Sequence, residues 1–397
     1  MTLHRWSGVA DGRYDLPTLL NLITTLSYYE DVRERIGRTD VLIIDEISMI
    51  SLRVFDHVEA VCRAVRKSDE LFGGLQVVLA GDFLQLAPVP NHHLPDSDKH
   101  AFLSARWNFH HVNLTKVIRQ TEIKLIECIH ELATGTVSTA TETFLKSLSR
   151  PLAKDEDPTV LYGTRDEAMF YNLKRLSAMP ETEVAYKAVD TGRQKLIDRY
   201  VTAPKTLRLK TGAKVMLLKN LSDRLVNGLQ GAVQDTSSDG PTVHFDEVGI
   251  TVKLEQQTFS VYGRGNTILG QRKQFPLALS YAITAHKAQG LTLPAVIVDC
   301  KTMRQAGQVG VAVGRAMTIQ GLQVINFRRS DVRTPSMDVL EFSVSHSCKA
   351  TQGDFSCCRQ VNGNKLEKLS FEKLFSIKKN PENQKIFLKY DEPKMWP

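Results

Sequence analysis

Two acids, an amide and two arginines in this sequence have the residue types needed to move a phosphoryl group. The apolar run Val41-Leu42-Ile43-Ile44 ends in Asp45-Glu46. A strand buried on both faces would set Asp45 at its carboxyl end, where the carboxylate can hold Mg²⁺ through water. Glu46, one residue on, can polarise an attacking water. Taken alone, the same six residues also read as a core strand that ends in two solvated acids. A second apolar run, Leu75 to Ala80, ends in Gly81-Asp82-Phe83-Leu84-Gln85-Leu86. The Gln85 amide can hydrogen-bond a terminal phosphate or its attacking water, and a plain glycine-aspartate turn is the competing reading. Arg119 in LTKVIRQ and Arg315 in VGRA could stabilise charge on a transferring phosphoryl group, although a lone arginine is usually a surface ion-pair partner.

A further run, Ser280-Tyr281-Ala282-Ile283-Thr284-Ala285-His286-Lys287-Ala288-Gln289-Gly290-Leu291-Thr292, gathers hydroxyl, imidazole, ammonium and amide groups before a glycine. Such a loop and helix start can grip a nucleic-acid backbone, and an ordinary polar helix end is the competing reading. The basic balance, the segment with His4 and Trp6, and the Thr284 to Gln289 loop together suggest a groove for single-stranded nucleic acid.

The elements that would position these groups are short apolar strands alternating with helices. Ser51 to Lys67 has helical spacing at Val54, Val58, Val61 and Val65, between the strands at Val41 and Leu75. That alternation predicts a parallel sheet with functional groups at the carboxyl ends of its strands. Leu114 to Gln120 opens a second α/β region, with a helix at Ile123 to Leu132, a strand at Thr159 to Tyr162 and a helix at Asp166 to Leu176. From about Pro204 to Phe275 the chain turns to short β-like pieces with glycine turns at Gly212, Gly228, Gly231, Gly240, Gly263 and Gly265, a small antiparallel module. Apolar runs at Ala295 to Val298 and Val324 to Phe327 return to α/β character. The expected division is 1–110, 111–203, 204–275, 276–330 and an unassigned tail, 331–397.

The 397 residues carry 51 lysines and arginines against 44 acids, a net charge of +7. Hydrophobic residues at 42% and charged residues at 24% exclude a disordered polymer, a collagen-like fibre and a small disulfide scaffold. No apolar run reaches the ~20 residues of a membrane span, and Met1 to Arg13 lacks the apolar stretch of a signal peptide. The six cysteines are scattered, so a reducing intracellular compartment is expected. His346, Cys348, Cys357 and Cys358 invite a zinc reading, but the adjacent cysteine pair and the lack of any C-x₂-C spacing favour free thiols.

The ordered set TLHRWSG, VLIIDEISMI, VVLAGDFLQLAPV, LTKVIRQ, AITAHKAQGLTL and VGVAVGRA resembles the superfamily-1 DNA helicases of the Pif and RecD type. The resemblance runs from Thr2 to about Phe327. It implies two RecA-like domains, the first incomplete, with ATP and Mg²⁺ in the cleft between them and a small β-barrel inserted in the second. It implies 5′ to 3′ translocation on single-stranded DNA and unwinding of a duplex fork, in repair, recombination or telomere maintenance. By motif, Asp45 and Glu46 become the magnesium and water-activating pair and Gln85 the phosphate sensor. Arg119 and Arg315 become the arginines that meet the terminal phosphate, and Gly290 joins the nucleotide-binding set. Thr2, His4, Trp6, Thr284, His286 and Lys287 fall in motifs or segments that track DNA. A monomer is expected, nuclear if eukaryotic, with a mitochondrial site as the alternative.

Two departures from the pattern stand out. Gly314 occupies a place where the family commonly has serine. No Gly-Lys-Ser or Gly-Lys-Thr occurs in the 397 residues, so the phosphate-binding loop G-x-x-x-x-G-K-[ST] is not among them. The family places that loop a few tens of residues before Thr2, and the sequence therefore reads as amino-terminally truncated. The strand leading into the loop is central in this fold, so an open sheet edge or slot is expected. Two functions compete: an ATP-dependent DNA helicase, and a catalytically dead relative that binds single-stranded DNA or a protein.

Overall fold

The computed structural model describes residues 2–9, 12–91, 93–153, 157–262, 268–345 and 386–388. Gly263, Gly265 and the tail residues His346, Cys348, Cys357 and Cys358 lie outside them. The chain divides into two compact units, one of Met1–Lys116 with Ser336–Pro397 and one of Val117–Pro335.

In the first unit, strands β1 (Val41–Ile44) and β2 (Gln76–Leu79) pair in parallel, Ile44 opposite Leu79. Four apolar residues in β1 leave no polar face, as expected of a strand packed on both sides. Helix α1 (Leu3–Ser7), the helices Leu16–Thr25 and Glu30–Arg38, and helix α2 (Leu52–Arg66) share one core with β1. Its largest fully buried side chain is Trp6. Asp15 and Ser51 cap their helices by accepting from Thr18 N and Val54 N. The turn before β2 lies directly on α2: Gly73 has φ +64°, and a Cβ there would stand 2.7 Å from the Cys62 carbonyl.

Two expectations change here. The other edge of β1 is paired, in parallel, with Ile386–Leu388, so it is not left open. The first unit extends to Lys116 rather than about 110, and it includes the helix Met337–Ser345 from the segment read as an unassigned tail. That helix is held by Phe342, stacked on Phe102 at 4.3 Å and edge-on to Phe83 at 5.2 Å between ring centroids.

His57 lies in the middle of α2, 5% exposed, and burial pulls its imidazole down to about 4, with Arg53 adding to the effect. The unfolded chain would take up a proton near pH 6.5 that the folded chain refuses. Stability from this residue is therefore complete above pH 6.5 and is lost as pH falls toward 4. Urea unfolding at pH 7 and pH 5 should show a loss on the order of 2 kcal/mol. A folded His57→Leu variant should lose that slope.

In the second unit, β3 (Thr159–Tyr162), β4 (Ala282–Thr284), β5 (Val296–Asp299) and β6 (Leu322–Ile325) form a parallel sheet in the order β4-β3-β5-β6. Helices α3 (Ile123–Thr134), α4 (Thr139–Ser147), α5 (Ala285–Ala288) and α6 (Gln308–Val313) contribute to its core. Gly310 permits close packing, since a Cβ there would stand 3.3 Å from Ala133 N. The antiparallel strands begin at Val184, earlier than the expected 204. Val184–Lys187 pairs with Thr206–Leu209, and Val189–Gly192 pairs with Ile268–Gln274. Arg272, 3% exposed, ties this region by bonding both oxygens of Asp190 and Oδ1 of Asp198. Its charge is buried only because those carboxylates are there.

Candidate functional site

In the first unit the candidate groups sit where β1 and β2 end. Ala80 N donates to the Ile44 carbonyl at 2.9 Å, and Ile47 N donates to the Ala80 carbonyl at 3.0 Å. These two bonds carry the parallel pairing one step past each strand. Asp45 Oδ1 accepts from Glu46 N at 3.0 Å, which fixes the carboxylate at the rim. Glu46 has φ +54° and ψ +46°, left-handed backbone that a residue with a Cβ adopts at a cost. Gly81 has φ +155°, and a Cβ there would stand 2.9 Å from Ile47 N, so glycine is what allows β2 to end against the acidic turn.

Four residues after Gly81, the Gln85 amide is pinned. Asp82 Oδ1 accepts from Leu84 N at 2.9 Å, its carbonyl accepts from Gln85 N at 3.0 Å, and its Oδ2 accepts from Gln85 Nε2 at 3.2 Å. The Gln85 amide is thereby oriented by the residue that builds the turn. Asp45, Glu46 and Gln85 are all half-buried, accessible from solvent without being loose. One carboxylate able to hold water on Mg²⁺, a second able to polarise water and an amide able to bond an anionic oxygen thus share one rim.

The second unit brings the two arginines together. Arg119 Nε bonds Thr292 Oγ1 at 3.0 Å and its Nη1 reaches the Gly314 carbonyl at 3.4 Å. Arg315 is 4% exposed, and its Nε donates to the Val311 carbonyl at 2.8 Å while Nη1 reaches the Leu291 carbonyl at 3.4 Å. Gly290, at φ +78°, makes the turn that leads into Leu291. Gly314 has ordinary helical backbone, and a Cβ there would come 3.0 Å from the Gly310 carbonyl. A serine at 314 would have to shift that turn by a few tenths of an ångström.

The residues assigned to DNA divide into caps, half-buried groups and core. Thr2 caps α1 by accepting from Arg5 N, and Thr284 caps α5 by accepting from Lys287 N, both at 3.3 Å. Thr284 is buried, so its hydroxyl serves the helix start rather than a ligand. His4, His286 and Lys287 are half-buried on these two capped turns. Trp6 corrects the sequence reading: it is fully buried in the first unit's core and offers no ring face for a base to stack on. The spacing Leu3, Trp6, Val9 was the signal for that buried stripe.

Sequence reasoning missed Asp82 and Thr292 as orienting groups, and passed over Gln120 beside Arg119. Among the described residues no group of three or more His, Cys, Asp or Glu could hold a metal ion by itself. One acid at the strand end suits a magnesium ion that takes its other ligands from water and a nucleotide. Cys62, Cys128 and Cys300 are buried free thiols, the latter two pushed up to about 12 by burial, which makes them poor nucleophiles.

Residues 16–140 match the model of the PIF1-like helicase family, and residues 196–235 match that of the DNA helicase Pif1 2B domain. The ATP-dependent DNA helicase PIF1 of Emericella nidulans is 32% identical over 82% of this chain and 52% of its own length. The chain thus spans about half the length of the curated relatives it matches. The crystal structure of the Pif1 helicase from Candida albicans has 33% identity and a TM-score of 0.80, covering 87% of this chain and 84% of that one. The Bacteroides Pif1 helicase in complex with ADP-AlF3 and single-stranded DNA has 27% identity and a TM-score of 0.74, covering 88% and 84%.

Proposed function

The chain belongs to the PIF1-like helicase family, and from that premise we propose that it supplies the motor residues of an ATP-dependent DNA helicase. The helicase moves 5′ to 3′ on single-stranded DNA and opens duplex at a fork, in repair, recombination or telomere maintenance. It acts as a monomer, in the nucleus or mitochondria of a eukaryotic source. No helix among the described residues is long and apolar enough to cross a membrane. The observation that carries the reading is the shared rim of Asp45, Glu46 and Gln85, built by two parallel strand ends and held by Asp82.

Bound ATP-Mg²⁺ supplies a polarised terminal phosphate. This chain's own residues then have separate tasks. Asp45 would hold the water shell of the ion, Glu46 would take a proton from the attacking water, and Gln85 would orient that water or a phosphate oxygen. Arg119 and Arg315 offset the charge that develops on the phosphoryl oxygens. Cradling the β- and γ-phosphates needs the G-x-x-x-x-G-K-[ST] loop, which these 397 residues do not contain. That one observation favours a second reading for a polypeptide of these residues alone: it grips single-stranded DNA without turning over ATP.

Both readings place DNA on the two capped turns. His4, His286 and Lys287 project from short helices whose threonine caps fix the backbone, so their contacts are to phosphates and carry little sequence preference. Affinity for a fluorescent oligonucleotide should fall with salt, at a slope near −0.7 per neutralised phosphate. A double change, His286→Ala with Lys287→Ala, should weaken binding by roughly tenfold and flatten that slope. Unchanged affinity at low salt would remove DNA from this turn.

A further inference from the structure

Gln120 follows Arg119 directly and is only 6% exposed, although glutamine is rarely buried without partners. Its Nε2 donates to the carbonyl of Gly314 at 3.0 Å and to the carbonyl of Ala316 at 2.7 Å. Those are the carbonyls on either side of Arg315. Two acceptors at one terminal atom identify it as the amide nitrogen, because oxygen there would face two sets of lone pairs.

The surrounding bonds make this a junction. Arg119 Nη1 reaches the same Gly314 carbonyl, and the Arg315 carbonyl accepts from Leu293 N at 2.9 Å. Helix α6 ends at Val313 with glycines at 310 and 314, so the peptide that carries Arg315 starts at a residue with no side chain to anchor it, and its carbonyls are bonded to neighbouring segments.

We propose that Gln120 is a positioning residue, whose amide holds the Gly314–Ala316 peptide against the segment carrying Arg119 and so sets the spacing of the two guanidiniums. Its consequence for catalysis rests on the ATPase reading above, whereas the bonding itself is tested without nucleotide. The Arg119 guanidinium bonds Thr292 and reaches the Gly314 carbonyl only at 3.4 Å, and that of Arg315 bonds its own helix and the Leu291 carbonyl, whereas Gln120 makes the two shorter bonds to the Gly314–Ala316 peptide, at 3.0 and 2.7 Å. Gln120 joins the two backbones.

Hydrogen exchange on the 397-residue chain provides the test, read at the amides of Gly314, Arg315 and Ala316. These amides bond the carbonyls of Gly310, Ala312 and Val313. Gln120→Met keeps the length of the side chain and removes both donors. Gln120→Glu keeps the shape and sets an acceptor against two acceptors. Protection corrected for intrinsic rate should fall by about tenfold or more in both variants, while amides on β5 stay unchanged. In Gln120→Glu the loss should shrink between pH 7 and pH 5, because a protonated acid regains one donor; Gln120→Met should show no such recovery. Space-filling alone predicts no pH dependence. If Gln120→Met fails to fold, the pH series on Gln120→Glu still decides. Unchanged protection at 314–316, or a loss in Gln120→Glu that ignores pH, overturns the proposal. A folded chain carrying a phosphate loop that hydrolyses no ATP would sink the ATPase reading and leave the exchange result standing.

Discussion

Arg315→Ala, made in these residues preceded by a family-type strand and phosphate loop, is expected to lower ATP turnover by about 10³- to 10⁵-fold, the usual effect of removing an arginine finger. Affinity for single-stranded DNA should stay within a few-fold. The size of the effect follows from where the charge sits. A buried guanidinium in fixed hydrogen bonds needs little reorganisation when charge develops nearby, and it acts in a medium that screens it poorly. Arg119 is more exposed and bonds a hydroxyl, so Arg119→Ala should cost less. Because Arg315 also packs inside the second unit, circular dichroism and cooperative melting must first show the variant folded. A loss of turnover below tenfold in a folded variant would remove Arg315 from the reacting phosphate.

The second large effect is on stability. Trp6→Ala should destabilise the first unit by about 3–5 kcal/mol, the range for truncating a fully buried aromatic side chain. A stacking platform for DNA would behave differently. Removing an exposed tryptophan would leave the melting temperature unchanged and cost ~1–3 kcal/mol in oligonucleotide affinity. Denaturant melts and anisotropy titrations on the same variant separate the two. A stable Trp6→Ala variant with weakened DNA binding would restore the sequence reading of Trp6.

These outcomes mark what the residue string reveals and what it hides. Asp45, Glu46 and Gln85 are legible because each follows an apolar strand run, and parallel strands present their ends at one rim. The helix Leu52–Arg66 is legible from its valine spacing. Trp6 is misread because its polar neighbours His4 and Arg5 outweigh the Leu3-Trp6-Val9 stripe that buries it. The strands Val184–Lys187 and Val189–Gly192 escape notice because, unlike the equally short Val41–Ile44, they are not continuous apolar runs but carry Lys187, Asp190, Thr191 and Gly192. Their partners come later in the chain, Gly192 opposite Gly270, and short segments take their conformation from such pairing. Gln120 is hidden for a similar reason, since its partner carbonyls stand 194 and 196 residues away. The motif string brings Arg119 and Gln120 to attention but says nothing of which carbonyls the amide will bond.

ATP hydrolysis measured at saturating single-stranded DNA, with and without an amino-terminal phosphate loop joined to these 397 residues, is the most direct test. The residues alone should show negligible turnover, and the loop-bearing chain, once shown to be folded, should hydrolyse ATP in a manner abolished by Glu46→Gln. Turnover by the 397 residues alone that depends on Glu46 would contradict this, as would a folded, ATP-binding, loop-bearing chain that hydrolyses nothing.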